Sequence, residues 1–242
     1  LSGRAACYAV HTCSWLAMLG ALKLLRTKIP EGGGWKTVSL TSLQEGLRFV
    51  WSHGVIFPLM LLDFSATFFG NVRGLFPIYA RDILLVGPTG LGLLYAARAV
   101  GSLLAAGAMA LFGPVKHSGR WIFLGIGTYG LSTVFFAGSQ VFWFSFLMLM
   151  LTGAGDTISS ILRSTINQLS TPDELRGRMS SINSIFTSSG PQLGQFESGV
   201  VAAWLGAQLS ALTGGVATLF VLIAVAASFP RLRQFQTPRF SR

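Results

Sequence analysis

The chain has 242 residues, of which 51% are hydrophobic and 11% charged, with a net charge of +10 and a mean hydropathy of +0.60. Its charged content is under half the roughly 25% of soluble domains, and most of its long segments are apolar on every side, which argues against a soluble helical protein. The basic excess does not read as a nucleic-acid surface, because most of it is concentrated in one set of loops between apolar segments and in the tail.

Seven mostly apolar stretches recur, at about 5–25, 55–80, 90–112, 120–138, 142–168, 180–206 and 209–229. Each is long enough to cross a hydrocarbon core of about 30 Å, so the pattern predicts an all-α membrane protein. The first segment, 1–25, carries Cys7 and Cys13 and no small-residue cleavage site of a signal peptide. A straight helix sets those cysteines ~9 Å apart along its axis, beyond disulfide reach. The connection 26–54 opens with Pro30 and Gly32-Gly33-Gly34, which block a continuous helix. Ser42 and Glu45 then fit a capping box, and Leu40, Leu43, Leu47, Val50 and Trp51 share a face. This predicts a short amphipathic helix lying on the cytoplasmic surface, with a solvated linker helix as the alternative. The stretches between 55 and 230 are joined by short loops and predict an up-down six-helix bundle, followed by a basic tail at 231–242. Gly70 and Gly74, and Ala97, Gly101 and Ala105, form small-residue stripes suited to close helix contacts.

One set of loops holds Arg26, Lys28, Lys36 and Arg48, then Lys116 and Arg120, then Arg176 and Arg178, and the tail adds Arg231, Arg233, Arg239 and Arg242. The opposite side has Arg4 and Arg81, the latter beside Asp82. The positive-inside rule then puts the tail in the cytoplasm. With seven spans the amino end falls outside, and a first residue of Leu adds to the expectation that the chain starts partway through a longer protein.

Ionisable residues inside the apolar stretches carry the functional signal, since each costs ~2.5–3.5 kcal/mol at the bilayer centre even on insertion scales. In the fifth stretch Asp156, Ser160, Arg163 and Asn167 fall on one helical face. Asp156 and Arg163 lie two turns apart, roughly 10 Å along the axis, so each needs a partner on another span or water. The sixth stretch places Asn183, Thr187, Gly194 and Glu197 on a face, and Gly190-Pro191 is predicted to interrupt this helix at membrane depth, as pathway helices do. Asp63 lies near the cytoplasmic end of the second stretch, with Arg73 deeper, and Arg98 sits in the third. Two readings stand for these groups: they line a substrate path, or they form structural ion pairs, with Arg73 and Arg98 pairing Asp156 or Glu197. The path reading makes Arg73, Arg98, Asp156, Arg163 and Asn183 the substrate-binding candidates. Glu197 has no basic residue within two turns on its own helix and is the first candidate for proton coupling, with Asp63 next. There is no HExxH, no G-x-S-x-G elbow and no Cys/His cluster, and Gly32 to Thr37 lacks the Gly before Lys and the strand of a phosphate loop. An enzyme is not expected, nor a cofactor or metal.

The segments LLDFSATFFG (61–70), GLGLLYAARAVGSLLA (90–105), TGAGDTISSILRSTINQLSTPDELRGRMSSINSIF (152–186), LGQFESGVVAAWLGA (193–207) and FPRLRQF (229–235) resemble the major facilitator superfamily, in its enterobactin-exporter branch. DELRGRMSS is the most specific piece, and the likeness covers roughly residues 40–235. The resemblance implies two six-helix bundles joined by a cytoplasmic loop, with substrate held between them and alternating access. This chain then holds the sixth helix, the central loop and the whole carboxy-terminal bundle, and lacks the amino-terminal bundle's first five helices. The turn GPVKHSGR (113–120) corresponds to a basic loop of the family but departs from the acidic-plus-basic form of the other half. The implied function is a proton-coupled exporter, in the inner membrane, of a siderophore or other amphipathic small molecule. The alternatives are a facilitative uptake transporter and a non-transporting membrane scaffold or receptor fragment.

Overall fold

The computed structural model describes residues 2–24, 48, 50–51, 54–113, 115–172, 175–233 and 235. The amphipathic helix expected over 42–51 lies outside them except for Arg48, Val50 and Trp51, as does most of the tail. The chain divides into two compact units, Leu1–Ser39 and Leu40–Arg242. Among its described residues the first contains one helix, α1 (Ser2–Leu24), with Cys13 exposed and unbridged, and with Trp15 Nε1 donating to His11 Nε2 at 3.0 Å.

The second unit is all-α. Its long helices are α2 (Ile56–Phe69), α3 (Gly87–Phe112), α4 (Ser118–Ala137), α5 (Phe142–Ser170), α6 (Arg176–Leu205) and α7 (Ala207–Ser228), with a short helix at Pro230–Arg233. By length and composition α3, α5 and α7 are each able to cross a membrane. The α2 helix has only 14 residues, and α6 carries Arg176, Arg178, Glu197 and many Ser and Gln residues among its 30. The turn from α6 into α7 is a single residue, Gly206, at φ +87°, a backbone region that favours glycine because it has no Cβ.

Helix α5 packs on α3 and α4, while α7 packs on α4, α6 and α2. Small residues set the closest of these approaches. A Cβ at Gly153 of α5 would strike the backbone of Arg98 in α3, and one at Gly101 of α3 would strike the Met150 carbonyl. The stripe Ala97, Gly101 and Ala105 is buried. The apolar core falls into one cluster around Phe76, Tyr79, Leu94, Phe136 and Leu149, and another around Leu59, Leu62, Ile122, Ile126, Leu162 and Ile166. Within a bilayer such side chains hold helices together by close van der Waals packing and not by transfer from water.

The interruption expected at Gly190-Pro191 is not there. Helix α6 runs unbroken from Arg176 to Leu205 with Pro191 inside it. The missing proline N–H forfeits one helical bond, but α6 is held against α2 on both sides of that point. Gly190 abuts Thr67, and Gly194 abuts the Phe68 carbonyl. The broken helix is α2 instead. It stops at Phe69, and Val72 N donates to Gly70 O at 3.0 Å. A 3-10 turn (Arg73–Leu75), one α turn (Phe76–Ile78) and a wide π turn (Tyr79–Ile83) follow. Asn71 stitches this break: its Nδ2 donates to Pro191 O at 2.9 Å, and its Oδ1 accepts from Arg73 N at 3.3 Å. Freed backbone at membrane depth is tolerated where neighbouring helices satisfy it.

Candidate functional site

The polar interior is organised by α5, which carries an acid and a base two turns apart and pairs each with the opposite charge on another helix. Arg163 reaches Asp63 of α2, Nη2 to Oδ1 at 2.5 Å, and its Nη1 donates to Ser159 Oγ at 2.7 Å. This pair is nearly dry, with side chains 8% and 11% exposed. One turn beyond it a cavity of about 150 Å³ opens, lined by Asp63, Ser160, Arg163, Asn167, Asn183 and Thr187. Asn167 Oδ1 is buried with no hydrogen-bond partner among the described residues. A larger opening of about 270 Å³ shares Ser164, Asn167 and Asn183 with it. Two asparagines therefore offer amide groups to a polar guest at the mouth of a buried ion pair.

The second pair joins α3 to α5. Arg98 Nη2 lies 2.9 Å from Asp156 Oδ2, with side chains 17% and 32% exposed. The glycine contact at Gly153 brings the backbone of Arg98 against α5, which puts its side chain within reach of Asp156 less than a turn away. The guanidinium also stands 5.7 Å from the centre of the Tyr129 ring in α4, a cation–π distance. Tyr129 in turn donates its hydroxyl to the Gly70 carbonyl at 2.7 Å, at the break in α2. Arg98, Asp156, Tyr129 and Gly70 thus tie three helices to the point where a fourth stops.

Of the seven candidates, Asp63, Arg98, Asp156 and Arg163 are brought together as these two pairs, and Asn183 lines the adjoining cavity. Arg73 and Glu197 stand apart. Arg73 is exposed in the 3-10 turn, Glu197 is partly exposed on α6, and neither forms an ion pair among the described residues. Several polar groups escaped the sequence reading. Tyr129 and Asn71 each looked like an isolated polar residue in an apolar run, with nothing to name a partner far away in sequence. On α6, Ser180, Ser184, Ser188, Gln192 and Gln195 recur at helical spacing and are all exposed. That spacing was the available signal, masked by its weakly polar serines. An exposed amide and hydroxyl stripe is costly against hydrocarbon, so this face belongs against water or protein.

A family model described as transmembrane secretion effector matches residues 1–240. The chain belongs to this branch of the major facilitator superfamily. It is therefore a multi-pass membrane protein of a transporter family and not an enzyme. It is 29% identical over 210 residues to the enterobactin exporter EntS of Escherichia coli O81 (strain ED1a), covering 82% of this chain and 48% of that protein. It is 30% identical over 209 residues to the EntS of Citrobacter koseri, with the same coverage of each. The chain thus spans about half the length of the relatives it matches. No solved structure matches it.

Proposed function

We propose that residues 55–230 are the carboxy-terminal bundle of a proton-coupled exporter that works by alternating access, that 1–25 is the last helix of its amino-terminal bundle, and that 26–54 is the cytoplasmic loop between them. The substrate is a siderophore or another amphipathic small molecule, held between the bundles by the α6 stripe, Arg73 and the cavity at Asn183. The protein lies in the inner membrane with its tail and Arg176 in the cytoplasm.

The observation that carries coupling to Glu197 is charge balance. Among the described residues Asp63, Asp82 and Asp156 each have a cationic partner, and Glu197 has none. A neighbouring guanidinium opposes protonation of a carboxylate, and Glu197 has no such neighbour to compete with an incoming proton. Glu197 sits on the helix bearing the exposed polar stripe but on another face of it, the one that carries Asn183 and Thr187.

The test is efflux of enterobactin from vesicles holding the full-length protein under an imposed pH gradient. Glu197→Gln is expected to bind substrate but lose the gradient dependence. If the Gln variant still responds to the gradient, Glu197 is not the coupling group and Asp63 follows. Single-cysteine labelling checks the orientation: access from outside at position 239 overturns it.

A further inference from the structure

We propose that the groove between α4 and α7 is a binding site for one anionic phospholipid, its acyl chain along the groove and its phosphate between Arg120 and Arg233. The groove has a volume of about 690 Å³. Its walls are Phe123, Leu124 and Leu131 of α4 and Leu222 and Ile223 of α7. None of the ionisable groups of the transport site lines it. From Arg120 to Leu131 the helix rises roughly 16 Å, which is about the hydrocarbon depth of a single leaflet, half of ~30 Å. A groove of that length suits one chain entering from one membrane surface.

Both cations sit at the same end for a reason visible in the fold. The segment after α7 returns to the start of α4, where Gly119 N donates to Phe235 O at 3.3 Å. A Cβ at Gly119 would collide with the Leu232 carbonyl, so the glycine permits this return. Leu232 is buried, and Arg233 next to it lines the groove together with Arg120. Both arginines are exposed, neither forms an ion pair among the described residues, and no acid lines the groove. Two guanidiniums without an acid, above an apolar trench at a membrane edge, match a phosphodiester on a hydrocarbon tail. A zwitterionic headgroup would bring its own cation to the same place and gain less. Gly127 deepens the trench midway. A Cβ there would meet only Leu222 Cδ2, at an ordinary 3.5 Å, so a larger side chain is accommodated by the backbone while filling the groove.

The inference does not rest on the exporter reading or on the orientation, which only names the leaflet. The test is native mass spectrometry of the purified full-length protein offered phosphatidylglycerol and phosphatidylcholine in equal amounts. Phosphatidylglycerol is expected to be retained preferentially. The double variant Arg120→Ala/Arg233→Ala is expected to weaken its retention by roughly 10- to 30-fold, the effect of two cations near a membrane surface, while Lys116→Ala changes it little. Gly127→Leu, which leaves both arginines in place, is expected to abolish retention of the chain-bearing lipid. Equal retention of the two lipids by the wild type, or unchanged phosphatidylglycerol retention in the double variant, overturns the site. Displacement of phosphatidylglycerol by millimolar inorganic phosphate, together with an unaffected Gly127→Leu variant, shows a surface phosphate contact with no chain in the groove and also overturns it.

Discussion

The Arg163–Asp63 and Arg98–Asp156 pairs hang from one helix, two turns apart and with reversed polarity, yet they sit in different surroundings. The first is almost fully buried between α2 and α5, beside the small polar cavity, with Ser159 accepting a further guanidinium hydrogen bond. The second has an acid about a third exposed, and its arginine is shared with the face of an aromatic ring. Burial decides what such a pair can do. A sealed pair must stay paired, because opening it strands a charge in a medium of low dielectric. A pair that water reaches can open at modest cost. The dry pair is suited to holding α2 on α5, and the wetter one, near the point where Gly70 ends α2, is the one that can open at modest cost.

Breaking the sealed pair on one side gives the largest expected effect. Arg163→Met leaves Asp63 buried and alone and is expected to destabilise the bundle by about 3–5 kcal/mol in denaturant titrations in detergent. Asp63→Leu combined with Arg163→Met is expected to recover most of that loss, since apolar replacement of a whole buried pair is often neutral or better. A double variant no more stable than Arg163→Met alone removes the distinction drawn between the pairs.

The wetter pair gives the next effect. Arg98→Met is expected to cost ~1.5–3 kcal/mol, the worth of a hydrogen bond to a charged group, because water can reach Asp156 once it is alone. A loss as large as that of Arg163→Met would mean the two sites are equally sealed.

The sequence revealed one half of each pair's logic. The 3.6-residue period showed that Asp156 and Arg163 share a face yet lie too far apart to bond, and so need partners elsewhere. It did not show which partners, because helix periodicity carries no information about which helix faces which. Asp63 and Arg98 were visible as ionisable residues in apolar runs, and only the packing at Gly153 and around Leu59 and Leu162 joins them to α5. The break was read at the wrong helix for a related reason. Gly-Pro is the strongest local breaker in the chain, but α2 clamps α6 straight across it. The true break, Gly70-Asn71-Val72, contains no proline and depends on hydrogen bonds from Tyr129 and to Pro191. Local propensity fails where distant side chains satisfy the backbone.

Tyr129→Phe examines that break directly. It keeps the ring beside Arg98 and removes the hydroxyl, with its 2.7 Å hydrogen bond to Gly70 O and its polar contact with Arg98. The expected loss is ~1 kcal/mol, the usual net worth of one neutral hydrogen bond, with faster hydrogen exchange confined to 70–75. Exchange rising equally throughout α4 would place the hydroxyl's role in that helix and not at the break.

The smallest effect on stability is expected at the charge outside both pairs. Arg73 is exposed, and its backbone N, not its guanidinium, makes the contact with Asn71. Arg73→Gln is therefore expected to change stability by no more than about 0.5 kcal/mol, as surface substitutions usually do. If its free guanidinium contacts substrate, KM for efflux by the full-length protein rises while the folded population stays constant. A stability loss matching that of Arg98→Met would instead put Arg73 in the structural charge network.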